Sequence, residues 1–351
     1  MSARARAARG AFPDAGAGDG SVLWEVRRRV DHFDMRASEK TVLASAKGIV
    51  DRVKLEGAEE WIRTYVEPVG VEEARERPWS TVIRVSLAAG GAAWFKACSA
   101  VQAFEPRLSA VLFSRWPGRV GEVIAYDEQR AWLLLRDAGT PLRVIGNPPE
   151  AWLTILPSYA ELQRGEATHA TDHLQHGVPD LRIETLPARF EDVLRDELPL
   201  ASVDVARLRA FLPTLAQLCA ELKAADIPAS IQHDDLHFGN VFVDGDVSLI
   251  LDWGDASISH PFASAVVAFR FLEEQNGLAP GSRWFRRLRD AYLEPWGLHQ
   301  VGTFELAQRA GIFAHVCAWA RQRSFLSESE RADFDKWFSV VLRRAIDRIP
   351  Q

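Results

Sequence analysis

The sequence predicts an α+β chain in two lobes, a small antiparallel β lobe followed by a larger, mainly helical one. Residues 79–136 run in short segments rich in β-branched and aromatic residues, separated by small or polar turns, as antiparallel strands do. From Pro148 onward, apolar residues recur at helical spacing almost to the C-terminus. Between these helices lies Ile231–Asp255, IQHDDLHFGNVFVDGDVSLILDWGD, in which acidic and amide side chains flank a hairpin-like pair of short strands.

Residues 1–57 read as an extension. MSARARAARGAFPDAGAGDG has an Ala/Gly bias without the apolar run of a signal peptide. Ser21–Gly57 is polar with a helical bias, and Arg27–Arg29 suit a solvated face. Residues 58–139 form the β lobe. Ala58–Val66 is a helix, and Trp79–Leu87 is a strand that turns at Ala88–Gly91. Ala92–Ala97 returns with Lys96 near its end. Ala103–Trp116 is a helix with Glu105 near its start. Glu122–Tyr126 and Ala131–Arg136 are two further strands, and Asp137-Ala138-Gly139 closes the lobe.

Residues 140–351 form the helical lobe. Glu150–Gln163 is helical, with Pro157 expected to kink or break it. Ala188–Leu198 and Asp204–Ala225 are amphipathic helices. Val241–Asp244 and Val247–Leu251 are strands around Gly245. Phe262–Glu274, Ser282–Leu293, Phe304–Arg321 and Ser329–Ile349 complete the lobe as helices, and Trp284, Trp296, Trp319 and Trp337 suit its core better than substrate stacking. His169, His173 and His176 lie near one helical face. They fit either a metal cluster or a polar helix end by a cleft or solvent, with no cysteine or carboxylate evident to complete a metal site.

Composition narrows the function classes. The 351 residues carry a formal charge of -6, which gives no general attraction to nucleic acid or an anionic membrane and mildly favours a cationic substrate. No stretch approaches the roughly 20 apolar residues of a membrane helix. Cys98, Cys219 and Cys317 are scattered and odd in number, consistent with a reducing cytoplasm.

The chemistry sits in the central stretch. His233-x-Asp235 is followed by Asn240, and then by Asp252-Trp253-Gly254-Asp255. This order matches H-x-D-x-x-x-x-N followed by D-x-G, which places a carboxylate beside an attacking hydroxyl and hard oxygens at a divalent ion. His233–Asn240, HDDLHFGN, and Ile250–Ala256, ILDWGDA, resemble the H-G-D-L-H-x-G-N and I-D-W-G-D-A motifs of the aminoglycoside phosphotransferase and choline kinase-like family, small-molecule relatives of the protein kinases.

That resemblance implies a two-lobed protein-kinase-like fold and transfer of the γ-phosphate of ATP or GTP to a hydroxyl on a small molecule. The acceptor is an aminoglycoside or other antibiotic, or alternatively a sugar or amino alcohol. It implies Asp235 as the base and Asn240 and Asp252 as ligands of Mg2+. Lys96 would meet the nucleotide phosphates, oriented by Glu105, with Ser80 and Thr81 as further phosphate contacts and the backbone near Asp137 at the base. His233 and His237 are loop-shaping or acceptor groups, and Asp255 is an acceptor candidate. Three features depart from the family pattern. Asp234 replaces the usual Gly and is expected to face solvent or a cation. Ser264 replaces an Asp that would brace the loop. Arg77–Thr81 stands where protein kinases have a Gly-rich loop. The rival reading is a silent, kinase-like scaffold; phosphorylation of a protein fits less well, because no A-P-E-like segment follows Asp255.

Overall fold

The computed structural model describes residues 57–244 and 247–350. The expected N-terminal arm, all but the last residue of the Ser21–Gly57 stretch, and the Gly245 turn lie outside the described residues.

Helix α1 (Ala58–Tyr65) leads into an antiparallel sheet of order β1-β2-β3-β5-β4. Its strands are β1 (Pro68–Arg77), β2 (Ser80–Leu87), β3 (Ala92–Cys98), β4 (Val123–Asp127) and β5 (Trp132–Arg136). The alternation of β3 organises the lobe. Ala93, Phe95 and Ala97 face the small core under α1, where Trp61 packs edge-on against Phe95 and Trp132 at 5.9 and 5.6 Å. Lys96 therefore points to the other face, towards the second lobe. Helix α2 (Glu105–Arg115) follows β3, and its Leu108 and Leu112 belong to the large core of the second lobe.

Strand β1 is absent from the sequence reading. PVGVEEARER carries five charged residues and a glycine, a poor strand signature. It pairs with β2 alone, at the sheet edge, where no buried face is required and charge discourages further pairing.

The second lobe opens with the short strand β6 (Thr140–Pro141) and helix α3 (Trp152–Glu166). Of the expected kink or break at Pro157, the break does not occur: α3 runs on to Glu166. The lost hydrogen bond and ring clash cost about 3 kcal/mol. Burying Trp152, Ile155, Leu156, Tyr159 and Leu162, at roughly 1.5–3 kcal/mol per large side chain, outweighs that. Next come α4 (Ala170–Gln175), α5 (Leu186–Val193) and α6 (Ser202–Ala224), then the short strands β7 (Ser230–Gln232), β8 (Val241–Asp244), β9 (Val247–Ile250) and β10 (Ser257–Ser259). These form two small sheets, β6-β8-β9 and β10-β7. Four helices end the chain: α7 (Ala265–Asn276), α8 (Arg283–Leu293), α9 (Val301–Ser324) and α10 (Glu328–Asp347). Helix α9 runs through the middle, touching α5, α6, α7 and α10. Its Phe313 stacks on Phe211 at 5.0 Å and meets Phe190 edge-on at 4.9 Å. Trp284, Trp296 and Trp319 pack partly buried against this core.

Among the described residues no group of three or more His, Cys, Asp or Glu is placed to hold an ion. His173 faces neither cleft nor solvent. It is buried with Nε2 2.7 Å from Glu166, a carboxylate the sequence reading overlooked. Glu166 also accepts from Arg115 and Trp116, each at 2.7 Å, and so ties α2 to α3.

Candidate active site

The site lies where β3, α2 and the loops after β7 and β9 meet. Lys96 sits on the strand between β2 and β5, opposite Val82 and Leu133. Its ammonium is 2.6 Å from Glu105 and 2.6 Å from Asp252. Glu105 opens α2, where the helix N-terminus favours a negative charge. The Lys96 side chain is 8 % exposed and that of Glu105 2 %, whereas Asp252 is 55 % exposed and open to the cleft. Burial opposes the Lys96 charge, but Asp252 and Glu105 outweigh it and hold its pKa well above the ordinary lysine value.

The loop after β7 is held from both ends. The backbone N–H of His233 donates to the Tyr159 hydroxyl at 2.9 Å. His233 Nδ1 accepts from the Asp235 N–H at 3.3 Å, which leaves the ring proton on Nε2 to reach the Leu251 carbonyl at 2.9 Å. His237 Nδ1 accepts from the Gly239 N–H at 2.8 Å, so its Nε2–H faces Asp235 Oδ2 at 3.3 Å. A side chain at Gly239 would put its Cβ 2.5 Å from the His237 ring. Asn240 Nδ2 donates to the Asp235 carbonyl at 2.9 Å and to Oδ2 at 3.0 Å. The Asn240 carbonyl accepts from the Leu251 N–H at 2.9 Å, next to the Val241–Ile250 pair that starts the β8–β9 ladder. This pairing sets Asn240 beside the residue that precedes Asp252. Asp252 adopts a left-handed φ of 65°, a conformation that costs an L-residue about 1–2 kcal/mol.

The structure thus brings Lys96, Glu105, Asp235, Asn240 and Asp252 together. Both His233 and His237 hydrogen-bond within the loop. Ser80 and Thr81 begin β2, buried, just after the Pro78-Trp79 turn. The Asp137 carboxylate accepts from Arg84 at 3.0 Å and from the Gly139 N–H at 3.2 Å. Asp255 accepts from Gln102 at 3.1 Å and from Gln322. Burial first, then the Asp235 and Asp252 charges, push its pKa up to about 7.

Asp234 departs in part from expectation. It is 2 % exposed, with φ 63°, and so does not face solvent, although the Arg321 cation lies within electrostatic reach. Its carboxylate accepts from Ser257 at 2.6 Å and from Gln232. Burial lifts its pKa to about 6. Two side-chain hydrogen bonds, from the Ser257 hydroxyl and the Gln232 amide, thus satisfy a carboxylate where glycine would need none, and Asp is among the few residues that tolerate such a φ.

Ser264 shares a 2.7 Å hydrogen bond with the Tyr159 hydroxyl, the group that receives the His233 N–H. Gln163 donates to the Ile231 and Pro261 carbonyls at 2.9 and 3.0 Å, and accepts from Tyr292 at 2.7 Å. Tyr159, Gln163, Ser264 and Tyr292 are a buried polar brace under the loop. Sequence reading singled out Ser264 but not Tyr159, Gln163 or Tyr292, because Tyr159 and Ser264 stand 105 positions apart.

Around Asp235, burial opposes ionisation, but His237 above all outweighs it and holds the carboxyl below the usual range. A carboxylate at neutral pH can orient a hydroxyl and take its proton. Asn240 spends its amide N–H groups on Asp235, and its Oδ1 takes no hydrogen bond among the described residues. That oxygen and the exposed Asp252 carboxylate are hard donors of the kind a magnesium ion takes.

A model of the phosphotransferase enzyme family matches residues 96–304, more than half of the chain. The protein belongs to that family. The matched span opens at Lys96 and includes Asp235, Asn240 and Asp252. As a family member, the protein is a kinase-type phosphotransferase acting on a small-molecule hydroxyl. Solved structures of similar fold include an ethanolamine kinase from Plasmodium vivax, 13% identical with a TM-score of 0.55, over 81% of this chain and 85% of that one. A macrolide 2'-phosphotransferase from Brachybacterium faecium is 16% identical with a TM-score of 0.54, over 82% and 97%. A choline kinase from Streptococcus pneumoniae is 10% identical with a TM-score of 0.55, over 82% and 98%. At such identities the likeness speaks to fold. Comparison with curated proteins gives no significant match.

Proposed function

We propose that the protein moves the γ-phosphate of ATP or GTP, with magnesium, to a hydroxyl held at Asp235. The observation that carries this is the bridge of Lys96 between Glu105 and Asp252, with Asp235 and Asn240 hydrogen-bonded beside it. Lys96 contacts the nucleotide phosphates, and Glu105 fixes its ammonium. Ser80 and Thr81 flank the turn above the phosphates, and the backbone near Asp137 meets the base. Asp235 orients the acceptor hydroxyl and accepts its proton, while the His237 N–H holds Oδ2 in place. His233 keeps the loop closed on Leu251. Asn240 Oδ1 and the Asp252 carboxylate hold magnesium, which when bound neutralises phosphate charge.

GTP stays beside ATP because a GDP complex of an aminoglycoside 2'-phosphotransferase, 15% identical, shares the fold. Relatives of this fold are named for ethanolamine, choline, macrolides and aminoglycosides, so both an antibiotic and an amino alcohol are admissible acceptors. A cytoplasmic location, where nucleoside triphosphates are available, is consistent with three free, buried cysteines. No described helix is long and apolar enough to cross a membrane.

The test is a screen of hydroxyl compounds with γ-labelled ATP and GTP, repeated with Asp235→Ala. Transfer by the wild type that falls by roughly 100-fold or more in the variant, with nucleotide binding retained, is the expected result. Equal rates in the two proteins would remove Asp235 from the chemistry.

A further inference from the structure

The surroundings of Asp235 carry a charge pattern that the overall charge of -6 does not foretell. Helix α7 buries Val267, Ala268, Phe269 and Leu272 in the core. Phe271 turns towards the catalytic loop, with its ring 4.9 Å from that of His237 and 5.3 Å from that of Phe238. The guanidinium of Arg270 lies 4.2 Å above the Phe271 ring, and His237 in turn is 3.3 Å from Asp235. A cation thus rests on an aromatic step beside the proposed base.

Two carboxylates, Glu274 and Asp235, lie within electrostatic reach of this cation, but neither pairs with it directly. Arg270 makes no hydrogen bond or ion pair among the described residues. Glu274, one helical turn on, is engaged by Arg344 at 2.6 Å. Arg270 is half-buried, and burial, then the like charge of Arg344, draw its pKa down to about 10. It still carries its charge at neutral pH. The α9 residue His315 lies within electrostatic reach of Arg270, Asp235 and Arg344, and its Nδ1 is buried without a partner. Burial drives the His315 pKa down to about 3, so it adds a neutral acceptor rather than a second cation. Trp319 lies on the same helix with its ring 6.1 Å from that of His315.

A guanidinium partly shielded from water and without a direct anion contact is incompletely compensated, and a cation–π contact returns only part of the loss. An oxyanion would return the rest, since it accepts the fork of N–H groups in a bidentate fashion. A cationic acceptor, such as an amino sugar or a choline-like alcohol, would meet like charge at the same place.

We propose that the acceptor is an anionic alcohol, with its hydroxyl at Asp235 and its carboxylate or phosphate group on Arg270. The inference rests on the phosphotransfer reading above and names the substrate class of that site. Arg270 is the specificity-determining residue, and the formal charge of the chain, which mildly favours a cationic substrate, is a poor guide to this pocket.

The experiment measures phosphoryl transfer by the full chain to three acceptor sets. These are hydroxy acids (glycerate, 3-hydroxybutyrate), a phosphorylated alcohol (glycerol 3-phosphate) and hydroxy amines (choline, ethanolamine, kanamycin). Arg270→Gln and Arg270→Lys are run beside the wild type, with thermal unfolding as the folding control. The expected result is turnover of an anionic set, with the hydroxy acids and glycerol 3-phosphate deciding between carboxylate and phosphate. Arg270→Gln then raises its KM by roughly 10- to 100-fold, the loss of one charge-assisted contact, with kcat little changed, and Arg270→Lys recovers part of the loss. Preference for a hydroxy amine, with its KM unmoved in Arg270→Gln, overturns the proposal and leaves phosphotransfer standing. If Arg270→Gln does not fold, the wild-type preference and the Arg270→Lys KM decide. Bound nucleotide without transfer to any set overturns the phosphotransfer reading and this inference with it.

Discussion

Removing Lys96 should destabilise the protein as well as disable it, and the two effects can be separated. In Lys96→Met, Glu105 keeps only the Cys98 thiol, at 3.4 Å, among its side-chain partners. It is 2 % exposed, and breaking a buried pair from one side costs about 3–5 kcal/mol. Glu105→Gln is milder. Lys96 keeps Asp252, which is exposed enough to be partly solvated, and the expected loss is about 1–3 kcal/mol. Lys96→Met with Glu105→Gln removes both charges, so no buried ion is stranded. The double variant should then lose less than the sum of the two single losses, by roughly 2 kcal/mol. Urea unfolding of the four proteins gives the coupling from midpoints at a common slope. Losses that add to within about 0.5 kcal/mol would mean that the 2.6 Å contact does not hold α2 to the sheet. Nucleotide affinity should fall in Lys96→Met whatever the coupling.

Tyr159→Phe deletes the acceptor of the buried His233 N–H. We expect a loss of about 1–3 kcal/mol in unfolding and a fall in kcat larger than any rise in nucleotide KM; a changed KM with unchanged kcat would contradict the brace. Asp255, with its pKa raised to about 7, holds a proton in the folded state that it loses in the unfolded state above about pH 4. Its contribution to stability is therefore present below the unfolded pKa and declines as pH rises through the folded one. Asp255→Asn keeps an oxygen for Gln102 and Gln322 and removes this decline. Its stability relative to the wild type should grow between pH 5 and 8 by roughly 1–4 kcal/mol. A difference that shrinks over that range, followed by thermal unfolding, would contradict the raised pKa.

The gathering of the proposed site residues was legible because their spacing is local. Asp235 and Asn240 lie in one loop, and a hairpin carries Asp252 back to it, so the sequence writes their proximity directly. Lys96 and Glu105 were legible from order alone, a strand followed by a helix. Strand β1 was not, since an edge strand needs neither alternation nor β-branched residues. The continuity of α3 through Pro157 was hidden for a different reason: tertiary burial overrode a local penalty. For Asp234 only the solvent half of the expectation fails: a charge in a loop ordinarily faces water, whereas here Ser257 and Gln232 receive it inside, with Arg321 in electrostatic reach. The Tyr159–Ser264 brace and the contact of Phe271, which carries Arg270, with His237 join elements well separated in the chain, and nothing in a sequence window announces such pairs.

The central claim is that Asn240 and Asp252 present their oxygens to one divalent ion beneath a nucleotide. Manganese in place of magnesium reports this directly through its electron paramagnetic resonance, titrated against ATP with the wild type, Asn240→Ala and Asp252→Ala. The account predicts a nucleotide-dependent bound-metal signal in the wild type that weakens in Asn240→Ala and is lost in Asp252→Ala. The same signal, undiminished in both variants, would contradict it.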